Sequence, residues 1–237
     1  YAGMRRGGRA LYAFNVTTPS SPSLLWKIDN NSSGLSALGQ TWSEARVTRI
    51  KGIDDPVIIM GGGYDPGEDS SAPGTPTMGN IVVVLNSATG EVLKVFSGLS
   101  RPVPASVSIV DSDRDGQMDR AYAVDLGGSV YRIVFPSATP ADWVITKIAD
   151  FSASSASGQK MFYAPAVTPT QLGGATVYAV QVGTGDREKP LKASGTEDRY
   201  FTVLDKGQTS PVGIADLVSM TTNGLSSIPN NKYGCYL

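Results

Sequence analysis

Between Ala45 and Phe96 the sequence reads ARVTRI, PVIIMGGGYD, NIVVVLNSATGE and VLKVF, four short runs separated by turn residues. Val, Ile and Phe dominate the runs, Gly, Pro, Asn and Asp bound them, and none is long enough to make a convincing helix. About 60 residues later the pattern returns, with ASVSIV at Ala105 followed by RAYAVDLGG, SVYRIVF and WVITKIADF. About 60 further on, APAVTPT at Ala164 leads into TVYAVQVGTGD and RYFTVLDKG. Each unit offers a strand, a strand ending in a Gly-rich turn, a third strand and often an outer fourth. One such sheet cannot bury both its faces, so neighbours must stack. The period therefore predicts an all-β protein, a modified β-propeller with its blades packed side by side.

The flanks extend the pattern. GRALYAFNV and LLWKID read as the last two strands of an earlier blade, and NKYGCYL as the start of another. About three full blades and two partial ones are expected, in a ring completed by residues outside this chain, because closed propellers need at least four blades. The opening at Tyr1, with neither Met nor a leader, reads as part of a longer protein. Two segments break the rhythm: Tyr64 to Gly79 and Asp186 to Asp198 read as mobile surface loops. ADLVSMTTNG near the C-terminus is read as a short helix.

Composition narrows the function. Apolar residues make up 41% of the 237 and charged residues 17%, enough for a substantial core. A net charge of −1 without a basic run leaves no footprint for nucleic acid. No apolar stretch approaches the roughly 20 residues that span a bilayer, so no transmembrane segment is expected. Histidine is absent, which removes the commonest general base and the commonest transition-metal ligand together. Cys235 stands alone, so no disulfide framework exists within the chain.

One loop concentrates charge. DSDRDGQMD has the form D-x-D-x-D-G-x-x-D: Asp111, Asp113, Asp115, Gly116 and Asp119. Like charges this close repel, and a hard dication taking six to eight oxygens neutralises them. Alternating positions aim three carboxylates inward, Gly116 permits the sharp bend, Gln117 offers its main-chain carbonyl, and Asp119 closes the sphere. The sequence thus predicts a calcium site on Asp111, Asp113, Asp115, Gln117 and Asp119, within loop 111–119. It departs from the helix–loop–helix site by closing with Asp at the ninth position and by lying between strands. The bland alternative is an acidic surface turn, since Asp and Gly favour turns anyway. Arg114 and Arg120, as exposed neighbours, would offset little of the repulsion.

Other candidates are weaker. Asp65, Glu68 and Asp69 suggest a second cation site, but a solvated acidic loop is the favoured reading. GTGDREKP lacks the following helix that a phosphate cradle needs, so a blade turn is favoured. Trp26, Trp42 and Trp143 are read as blade-packing residues.

Taken in order, GGRALYAFNVTTP, LGQTWSEARVTRI, VIIMGGGYD, LNSATGEV, DSDRDGQMDRAYAVDLGGSVYRI and GTGDREKPLKASGTEDRYFTVLD resemble the C-terminal domain of the PilY/PilC family of type IV pilus biogenesis and tip-associated proteins. The resemblance covers most of Gly7 to Asp205, departing at Asn15 and Ser129 but nowhere in the calcium loop. It implies that residues 1–237 form part of a single propeller domain, C-terminal in a longer protein. It also implies calcium bound by the five residues above, with occupancy acting as a control. The implied setting is the bacterial cell surface or pilus tip, reached through the periplasm and associated with the outer membrane. The implied partners are minor pilins, other pilus assembly components and a host or surface receptor. Pilus extension and retraction, twitching motility and adhesion are the implied functions, and none is enzymatic.

Two alternatives belong to other classes. A quinone-dependent dehydrogenase propeller would repeat a Trp-and-Gly docking pattern in every blade, and that pattern is missing. An integrin-like adhesion propeller would repeat the D-x-D-x-D-G-x-x-D loop, which occurs here once.

Overall fold

The computed structural model describes residues 1–70, 74–151, 159–190, 197–221 and 228–237. Four sheets follow one another along the chain. The first holds β1 (Ala2–Gly3), β2 (Ala10–Asn15) and β3 (Ser23–Asp29), and the second β4 (Arg46–Thr48), β5 (Val57–Gly61), β6 (Val82–Asn86) and β7 (Val92–Phe96). The third holds β8 (Ser108–Val110), β9 (Arg120–Val124), β10 (Ser129–Val134) and β11 (Val144–Asp150). The fourth holds β12 (Ala166–Leu172), β13 (Ala175–Gly183), β14 (Tyr200–Asp205), β15 (Val218–Ser219) and β16 (Gly234–Tyr236), in the spatial order β12-β13-β14-β16-β15. The chain is all-β, as the repeated runs imply.

The period of two explains why the sheets stack. Along β5, Val57 and Ile59 join one apolar cluster, which also contains Ala121, Ala123 and Ile133 of the third sheet. Their neighbours Ile58 and Met60 join another, with Leu11, Ala13, Trp26 and Ile28 of the first sheet. The strand is buried on both faces, so it reads as a continuous apolar run. β9 repeats the sorting, since Tyr122 and Val124 turn towards Val180, Val182, Phe201 and Val203 of the fourth sheet. Each fully buried side chain of this size contributes about 1.5–3 kcal/mol. Close approach also fixes one glycine, because a Cβ at Gly61 would lie 2.3 Å from the Val103 carbonyl oxygen.

The outer sheets keep one face open. On the first sheet Phe14, Leu24 and Leu25 are exposed, and most of β12 is exposed in the fourth.

Backbone contacts stitch the seams between sheets. Ile50 pairs with Met118 in a parallel bridge, and the Met118 N–H donates to the Arg49 carbonyl at 2.7 Å. Ala149 pairs with Val212 likewise, with the Asp150 N–H donating to the Val212 carbonyl at 2.9 Å. A buried polar cluster reinforces this third-to-fourth seam. Asp205 accepts from the Tyr122 hydroxyl at 2.6 Å and from Arg132, while the Arg120 guanidinium stands 3.6 Å away.

Several expectations change. NKYGCYL opens no further blade, because β16 pairs antiparallel with β14 and completes the fourth sheet. The edge of β14 takes it, and among the described residues one partial blade remains, at the N-terminal end. ADLVSMTTNG begins inside the 3₁₀ turn Ile214–Asp216 and continues into the short β15, while its residues 222–224 lie outside those described. The stretch from Tyr64 starts as packed structure and not as a surface loop. Asp65 caps the 3₁₀ turn Pro66–Asp69, and Tyr64, Asp65 and Glu68 are buried. Residues 71–73 of that stretch, and 191–196 of the second expected loop, lie outside those described.

Candidate metal centre

The acidic loop connects β8 to β9 within the third sheet, on the strand-to-strand connection its flanking runs imply. One carboxylate oxygen from each of Asp111, Asp113 and Asp115 lies within 4.8 Å of the others. Local backbone hydrogen bonding produces this convergence. Asp111 Oδ1 accepts from the Arg114 N–H at 2.6 Å and the Asp115 N–H at 3.2 Å, and its Oδ2 accepts from the Gly116 N–H at 2.8 Å. Asp113 Oδ1 accepts from the Asp115 N–H, and Asp115 Oδ1 from the Gln117 N–H at 2.9 Å. Wrapping so tightly requires left-handed backbone at Arg114 (φ 64°) and Gly116 (φ 87°).

Electrostatics follow from these contacts. Desolvation works against a charged Asp111, but the N–H groups of Gly116, Arg114 and Asp115 outweigh it and hold the carboxyl below its ordinary value. The loop thus keeps Asp111 ionised and presents hard oxygen donors, the chemistry that suits calcium and magnesium.

Asp119 lies outside the converging triad. Its carboxylate accepts from the Ser112 N–H at 3.2 Å and from the Ser112 hydroxyl, closing the base of the loop. Its backbone is fixed too, by the Phe135 N–H donating to its carbonyl at 2.9 Å. Gln117 follows the triad as the sequence places it, with its N–H on Asp115.

Two neighbouring cations behave unlike the sequence reading. Arg120 is not an exposed neighbour, because its guanidinium turns into the seam, towards Asp205 and 4.9 Å from the centre of the Tyr178 ring. The cation at the loop is Lys51, from the connection after β4, with Nζ 3.1 Å from Asp115 Oδ2. No local pattern signals it, since 64 residues separate the pair.

The other carboxylates are engaged within the fold, although among the described residues Glu68 Oε2 is buried without a hydrogen-bond partner. Asp65 accepts from the N–H groups of Gly67, Thr77 and Met78 and from the Thr77 hydroxyl. Burial pushes its carboxyl up, but these four donors bring it below the ordinary value. Glu68 meets Arg101 at 3.3 Å, and Asp69 meets Arg6 at 3.2 Å. These three therefore form neither a solvated acidic loop nor a cation-binding group among the described residues. Asp125, fully buried in the β9–β10 turn, accepts from the N–H groups of Gly127, Ser129 and Arg101 and from the Tyr131 hydroxyl. GTGDREKP is likewise a turn, with the Gly185 N–H on the Lys160 carbonyl and Lys160 Nζ 3.1 Å from Asp186.

Comparison with known proteins agrees with the fold. A family model described as the PilY1 beta-propeller domain matches residues 1–164. The type IV pilus biogenesis factor PilY1 of Pseudomonas aeruginosa strain UCBPP-PA14 is 30% identical over 135 residues, 53% of this chain and 10% of that protein. A PilY1 homolog of Xylella fastidiosa strain Temecula1 is 31% identical over 136 residues, 55% of this chain and 10% of that protein. The chain thus spans about a tenth of the length of these relatives. The crystal structure of the Pseudomonas aeruginosa PilY1 C-terminal domain superposes with a TM-score of 0.76 at 20% identity, covering all of this chain and 58% of that one.

Proposed function

The chain belongs to the PilY1 β-propeller domain family, and on that premise we propose that it is a calcium-binding module of a type IV pilus biogenesis and tip-associated protein. In this reading Asp111, Asp113 and Asp115 hold the ion, joined by the Gln117 main-chain carbonyl and by Asp119 once it leaves Ser112. The observation that carries it is the convergence of three carboxylate oxygens within 4.8 Å on a loop whose own N–H groups aim them. Calcium supplies the charge that lets them stay together, and it tolerates the irregular geometry of such a loop better than magnesium does.

The module forms part of a larger propeller at the cell surface or pilus tip. There it contacts minor pilins and other assembly components, supports extension against retraction, and contributes to twitching motility and adhesion to a host or other surface. Its work is assembly and not catalysis. Calorimetric titration of calcium should show binding that Asp111→Ala and Asp119→Ala both weaken at least tenfold. Cells carrying either substitution should then lose pili or twitching. Unchanged calcium affinity in both variants sinks the ligand set, and normal piliation with and without calcium sinks the control role.

A further inference from the structure

The acidic loop has a neighbour that its own sequence does not supply. The connection after β4 is pinned beside it by the Ile50–Met118 bridge and by the 2.7 Å hydrogen bond from the Met118 N–H to the Arg49 carbonyl. Lys51 is the next residue, and its ammonium sits 3.1 Å from Asp115 Oδ2. Asp115 Oδ1 already accepts from the Gln117 N–H, so Lys51 takes the oxygen that remains. We propose that Lys51 is a tethered counter-cation, competing with the metal for Asp115 and thereby setting the affinity of the site. This inference rests on the cation-site reading of Asp111, Asp113 and Asp115.

Three observations support a role specific to Lys51. Among the described residues, Arg114 makes no ion pair with the triad although it lies inside the loop, and Arg120 is drawn off to Asp205. The ammonium is felt by two members of the triad, because Asp115 first and Asp113 second raise its pKa. The bridge beside it holds it close, and a tethered group competes at an effective concentration no free ion need match. Binding a dication then means releasing Lys51 to solvent. Its side chain is 72% exposed, so the pair is weak and its removal shifts the metal equilibrium only about two- to fivefold. The loop is thereby set to fill at a higher calcium concentration than its carboxylates alone would demand.

The test titrates calcium into the 237-residue chain, Lys51→Met and Lys51→Arg by calorimetry at one low ionic strength. A second readout follows the ε-methylene signal of Lys51 in ¹³C-lysine-labelled protein during the same titration. Lys51→Met should bind about two- to fivefold tighter and Lys51→Arg close to wild type. The ε-methylene signal should move to the position of a free lysine, with the midpoint of the heat. Unchanged or weaker binding by Lys51→Met, or a stationary signal, overturns the proposal while leaving the metal site standing. If no version takes up calcium, the cation-site reading falls and this inference falls with it.

Discussion

At one end of β9 lies DSDRDGQMD, at the other DLGGS, and both turn on glycine and aspartate. Because successive strands run antiparallel, the two turns emerge at opposite ends of the same sheet. In DLGGS one carboxylate, Asp125, collects three N–H groups and a tyrosine hydroxyl and disappears from solvent. In the acidic loop three carboxylates share a similar number of N–H groups, and Asp113 and Asp115 stay exposed. The lesson is one of supply. A carboxylate surrounded by its own donors serves the fold, whereas the crowded carboxylates keep acceptor capacity, part of which Lys51 takes at Asp115.

The comparison breaks first at Asp125. Replacing it with Ala strands a mostly buried set of donors and should cost about 3–5 kcal/mol in urea unfolding, while calcium affinity stays as it was. A loss below about 1 kcal/mol, or a parallel loss of calcium binding, would mean the two turns are not distinct in role. A smaller effect belongs to Gly116, where φ is 87°. Gly116→Ala should cost about 1 kcal/mol through left-handed strain and weaken calcium binding, measured by unfolding and calorimetry on the same sample. Equal binding would show that the loop holds its oxygens without this bend.

The least effect is a slope and not a step. Burial raises the Glu68 carboxyl above its ordinary value of 4.5, with Arg101 and Lys160 offsetting part of the rise. The folded state then binds the proton more tightly than the unfolded chain. The group's stabilisation is complete below pH 4.5 and is lost as the pH climbs through the folded value. Glu68→Gln should flatten the fall in urea midpoint on that side of the profile, and parallel profiles for the two proteins would contradict it.

Much of this was legible in the residues. Strand runs such as VIIMG and VVVLN are apolar throughout because they are buried on both faces, and the convergence of Asp111, Asp113 and Asp115 was legible because they lie on one contiguous stretch. What escaped depends on partners far along the chain. Asp65 and Glu68 sit in a Gly/Pro/Ser-rich segment that reads as solvated, yet Thr77, Met78 and Arg101 bury them. Arg120 reads as a neighbour of Asp119, but Asp205 draws it into the seam. NKYGCYL has the composition of a strand, and nothing in it specifies which open edge it joins.

On the proposed cation site, the Ile50–Met118 bridge would have a kinetic consequence. With Val110 ending β8, and with Met118 and Asp119 tied by backbone bonds to Arg49 and Phe135, only the span between them is left to adjust. An arriving ion would find most of its cradle already set, and little chain entropy would be lost in completing it. The pace of response would then be governed by how quickly the ion sheds water, displaces one ammonium and draws Asp119 from Ser112, and not by any rearrangement of the blades.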